Sequence, residues 1–187
     1  GVEPYIKALE DGAELIIAGR SYDPAVFAAL AIKEGCDKGL AIHLGKILEC
    51  GAIAATPGSG SDCLFGILGE DNFKIRALSD KRKCTTLSIA AHTLYEKSNP
   101  LKLPGPGGVL DLTNTTFEQF DDETVIVKGS KFIPSEKYTL KLEGAKKVGY
   151  RTVSIAACKD PIMIEKIDDI IVGVKERVKN NFESFGL

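Results

Sequence analysis

One short stretch of the sequence holds the residue types that proton-transfer chemistry needs. His92 and Glu96 stand four residues apart in the segment Thr85–Lys97, which we predict to be a helix. At that spacing both side chains lie on one side of a helix, where a carboxylate can orient an imidazole as a general base. Ser88 and Tyr95 fall on the same side. The pattern is more typical of a solvated helix face with a stabilising His–Glu pair, and both interpretations stay open.

The rotation of this helix decides where its polar side points. Four apolar residues recur at helical spacing and are expected to form its buried stripe: Leu87, Ala90, Ala91 and Leu94. This rotation would aim His92 at whatever element lies opposite.

A second candidate for proton transfer is Glu49, which lies in an apolar segment, Lys38–Ala55, predicted to be helical. A carboxylate buried there without a partner would have a raised pKa, which is one way to make a proton shuttle at neutral pH. A surface ion pair with Lys46 is the alternative. Cys50 is a candidate nucleophile or an inert buried thiol.

Two arginines are candidates for holding an anionic substrate. Arg20 follows a predicted strand, Leu15–Ile17, and precedes a helix that begins near Asp23. Such a strand–turn–helix unit places both residues where ligands bind in α/β folds, although an Arg20–Asp23 ion pair competes with this role. Arg151 shares parity with core positions of a predicted strand, Tyr150–Ala156, and is either a clamp for a substrate carboxylate or half of a structural ion pair.

The cysteines and the glycine-rich loops show no pattern for zinc or a nucleotide cofactor, although His92 and Glu96 could alternatively be two ligands of one metal. The five cysteines include no CxxC pair and no short Cys/His cluster, so we predict thiols rather than disulfides and no metal site. The glycine-rich loops 58–60 and 105–108 match neither a P-loop nor G-x-G-x-x-G. No cofactor is therefore predicted.

The elements that must position these residues indicate an α/β or α+β fold. We expect layered helices with a mixed sheet and a mostly antiparallel β-meander in the second half. The predicted helices are Val2–Glu10, Asp23–Glu34, Lys38–Ala55, Thr85–Lys97 and Ile162–Phe182. Beside Leu15–Ile17, the predicted strands are Phe73–Leu78, Glu123–Lys128, Lys137–Leu142 and Tyr150–Ala156.

Length and charge limit the class of protein. The 187 residues carry a net charge of −2 and include no apolar run long enough to span a bilayer. This argues against nucleic-acid and membrane partners and favours a cytoplasmic protein with a small-molecule substrate. Residues 1–187 are expected to form a single domain or a fragment of a larger one, helical over 1–108, with the meander and a last helix over 109–187.

The chain begins with Gly1 rather than Met, so we expect a fragment or a processed chain. A fragment would leave the apolar residues Ile42, Ile47, Leu48 and Ile53 without their usual cover. We therefore expect a homo-oligomer, or pairing with a chain that carries the missing segment.

Several segments occur together in an order that resembles the acyclic terpene utilisation protein family. They are Gly19-Arg20 with Asp23, residues 45–52, Ala90–Glu96, Pro106–Gly108 with Asp111, Lys141–Ala145, Gly149–Arg151 and Lys159–Pro161. Family members begin with a further α/β segment. The resemblance implies a setting in which citronellol- and geraniol-type compounds are degraded as coenzyme A thioesters.

Two hypotheses for function follow. One is an enzyme domain that performs acid/base chemistry on a branched acyl or carboxylate substrate. His92, Glu96 and Glu49 would then be catalytic, while the substrate-binding residues would be Arg20, Asp23, Ser88 and Arg151. The other is a non-catalytic subunit or assembly domain that needs the missing amino-terminal segment.

Overall fold

The computed structural model describes residues 1–93, 95, 99–140, 142 and 144–185. They divide into two units, residues 1–143 and 144–187, which are treated separately. Helices and two antiparallel sheets make up the first unit. The fold class is therefore mixed α/β, as the sequence predicts.

The helices of the first unit begin at residues suited to the role. They are α1 (Glu3–Glu10), α2 (Pro24–Lys33), α3 (Lys38–Leu48), a 3₁₀ helix (Gly51–Ala54) and α4 (Thr86–His92). Pro24 opens α2, since its fixed φ matches the first helical turn. The Asp37 side chain caps α3 by accepting the N–H of Leu40 at 2.9 Å. Helices are thus confirmed at the predicted places, although α3 ends at Leu48 and its predicted continuation is a 3₁₀ turn. Lys97, the predicted end of the helix that became α4, lies outside the described residues.

The strands of the first unit form two antiparallel sheets. They are β1 (Leu64–Leu68), β2 (Asn72–Ala77), β3 (Lys102–Gly105), β4 (Gly108–Asp111), β5 (Thr116–Gln119), β6 (Thr124–Lys128) and β7 (Lys131–Pro134). One sheet has the order β1-β2-β6-β5 and the other β3-β4-β7. Phe73 pairs with Val127 and Ile75 with Val125, so four apolar side chains meet on the buried face of the first sheet.

Helix α3 joins the two hydrophobic cores of this unit. Leu40, Leu44 and Ile47 belong to the core that includes the buried side chains of β2 and β6. Ala41 and Ile42 belong to the core formed with α2, β3 and β4. The expectation that Ile42 and Ile47 lack cover is therefore wrong, because both are buried within this chain.

Two glycines allow α3 to be packed this closely. A Cβ atom at Gly39 would lie 2.6 Å from the Cα of Lys131, and one at Gly45 would lie 2.6 Å from the carbonyl oxygen of Pro24. Both distances are shorter than van der Waals contact, so β7 and the start of α2 approach the helix backbone itself. This helix is consequently a rigid platform for the polar side chains that it carries.

Three predicted strands are wrong. The segments Leu15–Ile17 and Tyr150–Ala156, and the described residues of Lys137–Leu142, have no strand structure, and Leu15 and Ile17 are exposed. Apolar and β-branched content favours a strand only where a neighbouring strand accepts its backbone hydrogen bonds. The partners of β2 and β6 are instead β1 and β5, which the sequence patterns did not reveal.

The second unit contains two helices, α5 (Pro161–Glu165) and α6 (Ile167–Ser184). Asp160 caps α5, since its carboxylate accepts the N–H groups of Ile162 and Met163, each at 2.9 Å. The predicted Asp-Pro helix start is confirmed. The residues before Asp160 in this unit have no regular secondary structure.

Candidate functional site

Three ionisable residues lie at intervals of three along α3 and its end: His43, Lys46 and Glu49. This spacing keeps them on adjoining positions of the helix surface. His43 and Lys46 are buried, and the side chain of Glu49 is only 9% exposed. The central helix of an apolar core therefore carries a polar edge.

Lys46 and Glu49 form an ion pair through Nζ and Oε1. The sequence predicts this pairing as a surface contact, but the structure buries it. Removing two charges from water is unfavourable, and a buried pair often stabilises a fold less than apolar side chains of the same volume would. The stability of the fold therefore does not by itself explain why an ion pair is buried in the central helix.

Helix α4 brings His92 to this ion pair. Its start is fixed by a capping box, in which Thr85 and Ser88 each accept the backbone N–H of the other at 3.0 Å. Ile89 is then buried in the core and His92 lies one turn further on the same side. The His92 Nε2 atom lies 3.4 Å from the carbonyl oxygen of Lys46, a long hydrogen bond.

The predicted rotation of this helix is wrong. Leu87, expected in the buried stripe, is 78% exposed, and Ala91 is exposed as well. The physical reason is that Ile89, rather than Leu87, fills the core position, so the residue three positions later turns inward. His92 is consequently 5% exposed, a buried imidazole rather than a surface one.

Tyr95 marks the side on which these groups meet solvent. Its ring is stacked on that of His92, with the centroids 5.5 Å apart and the planes 16° apart. The Lys46 ammonium lies 5.9 Å from the centre of the tyrosine ring, within cation–π distance. Tyr95 is 40% exposed. We call Lys46, Glu49, His92 and Tyr95 the polar cluster.

Tyr22, at the entry to α2, adds a phenol to the surroundings of the cluster. Burial and the neighbouring Glu49 carboxylate raise the pKa of Tyr22 to about 12. Its hydroxyl therefore stays protonated and can donate a hydrogen bond at neutral pH. A Cβ atom at Gly105 would lie 2.9 Å from the Tyr22 oxygen, so only glycine leaves room for this ring.

The comparison with known protein families bears on this arrangement. A profile described as the acyclic terpene utilisation family protein AtuA matches residues 1–62 and 76–186. The chain belongs to this family. Comparison with curated proteins and with solved structures found no match. The segments matched to the AtuA family include α3, α4 and every residue of the polar cluster. The resemblance seen in the sequence is confirmed.

The structure describes most of the other predicted site residues of this AtuA-family chain. The hydroxyl of Ser88 serves the capping box of α4. Arg20 and Asp23 are exposed near the start of α2. Arg151 is exposed in the second unit. Glu96 lies outside the described residues, and its role stays a prediction.

Other candidates from the sequence have structural partners. Around the loop 58–60, Arg82 donates to the carbonyl oxygens of Pro57 at 2.7 Å and Gly58 at 3.3 Å, and to the Asp62 carboxylate at 2.5 Å. Loop 105–108 forms the turn between β3 and β4. Neither loop therefore resembles a phosphate cradle, in which backbone N–H groups converge on an anion.

All five cysteines are described, and none forms a disulfide. Within the described ranges no group of three His, Cys, Asp or Glu side chains is arranged to hold a metal ion. None of the helices in those ranges is long and apolar enough to cross a bilayer.

Sequence reasoning missed two contributions to this site. No local pattern in the sequence predicts the position of Tyr22, because its place near Glu49 depends on how α2 packs against α3. The burial of His43 and Lys46 did have a sign. Two polar residues at spacing three, ahead of Glu49 in an otherwise apolar helix, predict one polar edge on a buried element.

Proposed function

We propose that this AtuA-family chain performs acid/base chemistry on a branched acyl or carboxylate substrate, and that the polar cluster is its reaction centre. The observation that carries the proposal is the buried Lys46–Glu49 ion pair with the buried His92 imidazole against its backbone. Ionisable groups gathered in a dry environment are a recurring property of catalytic sites. The family setting supplies the substrate class.

Each member of the cluster has a role that its chemistry suits. The Lys46 ammonium places a fixed positive charge where an acyl oxygen becomes negative. Glu49 holds that ammonium in place through the ion pair. In a neutral His92 ring whose Nε2–H donates to the Lys46 carbonyl, Nδ1 is the acceptor nitrogen and therefore the base. Glu96, four residues further in the sequence, is proposed as a second carboxylate of this centre.

The proposed step is removal of a proton from carbon beside the acyl group. A C–H bond adjacent to the carbonyl, or conjugated with it through a double bond, breaks, and the proton passes to the imidazole. The electron pair moves to the carbonyl oxygen as an enolate beside the ammonium. Return of the proton to the same or another carbon completes an exchange or an isomerisation.

The assay needs no knowledge of the natural product. The thioester of 3-methylbut-2-enoate with N-acetylcysteamine is incubated with the protein in D₂O, and NMR follows deuterium entering its carbon positions. We expect wild-type protein to accelerate exchange and His92→Gln to reduce the acceleration by a factor of about 100 or more. Leu87→Ser, an exposed change on the same helix, is the matched control and keeps the wild-type rate.

Absence of accelerated exchange in the wild type contradicts the proposal, as does a His92→Gln rate equal to that of Leu87→Ser. The cytoplasmic location and the oligomeric state predicted from the sequence stay predictions.

The alternative, a non-catalytic assembly domain, has one observation in its favour. Helix α2 buries Ala25, Ala28 and Ala29, whereas Val26, Phe27 and Leu30 are exposed. Sedimentation equilibrium tests this alternative: self-association in the wild type that Phe27→Glu abolishes supports it, and a monomer at all concentrations counts against it.

A further inference from the structure

His43 is a second buried imidazole of α3 that the proposed proton transfer does not use. It is 1% exposed and packs edge-on against the rings of Phe73 and Phe117, with centroids 5.3 and 6.2 Å away. Its Nδ1 atom lies 2.7 Å from the hydroxyl oxygen of Ser130, at the start of β7. That hydroxyl in turn lies 3.4 Å from the hydroxyl of Thr115.

The other ring nitrogen has no such partner. Among the described residues none makes a hydrogen bond to His43 Nε2, although the atom is buried. A buried polar atom without a partner is unfavourable and uncommon in proteins. In a ring that is otherwise closely packed and hydrogen-bonded, this atom is the part left to bind something else.

The ring lies beside the polar cluster. Lys46 follows His43 by one turn on α3, and His92 contacts the backbone of Lys46. Burial, with a smaller electrostatic contribution from His92, lowers the pKa of His43 to about 3. His43 is therefore a neutral imidazole at physiological pH, with one N–H and one lone pair.

We propose that His43 Nε2–H donates a hydrogen bond to an oxygen of the bound carboxylate or acyl group, which makes His43 a substrate-binding residue of the proposed reaction centre. This inference rests on the proposed function. The proposed tautomer requires one direction along the hydroxyl chain: Thr115 donates to Ser130 and Ser130 donates to Nδ1, which leaves the ring proton on Nε2. Ser130 is accordingly a positioning residue.

The chain contains two histidines, so a histidine-selective NMR experiment is readily interpreted. The protein is labelled with ¹⁵N-histidine, the His92→Gln variant assigns the ring signals, and two-bond ¹H–¹⁵N spectra report which nitrogen carries the proton. We expect Nδ1 of His43 to be the unprotonated nitrogen. We also expect the Nε2 signal of His43 to move on titration with 3-methylbut-2-enoate and to stay in place with the matched amide at equal concentration.

The Ser130→Ala variant tests the positioning role. Loss of its hydroxyl is expected to shift His43 toward the Nδ1–H tautomer and to weaken binding of 3-methylbut-2-enoate about fivefold. Ser135→Ala, an exposed change in the same unit, is the control and leaves both properties unchanged.

An Nδ1–H tautomer in the wild-type protein overturns the inference. So does saturation with 3-methylbut-2-enoate that leaves the chemical shifts of both His43 ring nitrogens unchanged. These measurements use the wild type, so they hold even where a His43 variant does not fold. Their outcome is separate from that of the deuterium assay: binding at His43 without exchange refutes the proposed chemistry, whereas exchange without any response of His43 refutes only this inference.

Discussion

Acidification should destabilise this protein in part through His43. The pKa of His43 falls from its ordinary value of 6.5 to about 3 in the folded protein, because burial disfavours the imidazolium. Below pH 6.5 the imidazole of His43 therefore becomes protonated in the unfolded chain but stays neutral in the folded chain. The folded pKa is the lower one, so the stability present above pH 6.5 is lost as the pH falls toward 3.

The size of this loss follows from the same values. One proton taken up only by the unfolded state lowers the free energy of unfolding by about 1.4 kcal/mol per pH unit. Between pH 7 and pH 5 the loss attributable to His43 is about 2 kcal/mol. Carboxylates, whose pKa values in the unfolded chain lie near 4, affect the pH dependence of stability mainly below this range.

The assay is urea unfolding followed by circular dichroism at pH 7, 6 and 5, for the wild type and for His43→Gln. The glutamine retains a polar group near Ser130 but does not titrate. Its absolute stability will be lower, so the informative quantity is the change in unfolding free energy with pH. We expect the variant to lose about 2 kcal/mol less than the wild type over this range. Equal pH dependence in the two proteins refutes the reasoning, since the wild type would then owe none of its acid sensitivity to His43.

Three further predictions concern the ion pair, the thiols and the rotation of α4. Lys46→Met should lower the free energy of unfolding by about 3 kcal/mol, because it removes the ammonium from a buried ion pair, and adding Glu49→Leu should recover most of the loss. A double variant that is no more stable than the single variant contradicts this. Cys84 is buried and its pKa is raised by burial to about 11, so a thiol reagent at pH 8 should modify exposed Cys63 first and Cys84 only on unfolding. Denatured, non-reduced protein should titrate five thiols, and fewer would indicate a disulfide. Ile89→Ala should lower the free energy of unfolding by about 3 kcal/mol, whereas Leu87→Ser should change it by less than about 0.5 kcal/mol. If urea unfolding shows the larger loss for Leu87→Ser, Leu87 is the core residue and the rotation predicted from the sequence is correct.

The helices of this fold could be predicted because their starts are local. Pro24, the cap at Asp37 and the Asp160-Pro161 pair each act on neighbouring backbone groups, so the sequence alone shows where those helices begin. Strands could not be assigned in this way. Strand β2 has clear alternation, but whether a segment such as Tyr150–Ala156 becomes a strand depends on a partner distant in sequence.

In the candidate site, too, the local contacts could be predicted from the sequence, whereas the features that depend on tertiary packing could not. The Lys46–Glu49 pair is an i,i+3 contact and therefore visible in the sequence. Its burial is not visible, because that depends on α2, α4 and both sheets packing around α3. The predicted rotation of α4 is wrong because Leu87 and Ile89 are similarly apolar, and only the tertiary packing decides which of them enters the core.

The most direct test of the central claim is a double-mutant cycle on the rate of deuterium exchange into the 3-methylbut-2-enoyl thioester. The cycle compares wild type, Lys46→Met, His92→Gln and the double variant, with Lys102→Met, which removes a more exposed ion pair with Asp111, as the control for the lysine change. If Lys46 and His92 act on one substrate as one unit, the double variant exchanges no more slowly than the slower single variant. Two losses that multiply, or a Lys46→Met rate equal to that of Lys102→Met, would contradict the claim that the polar cluster is a single reaction centre.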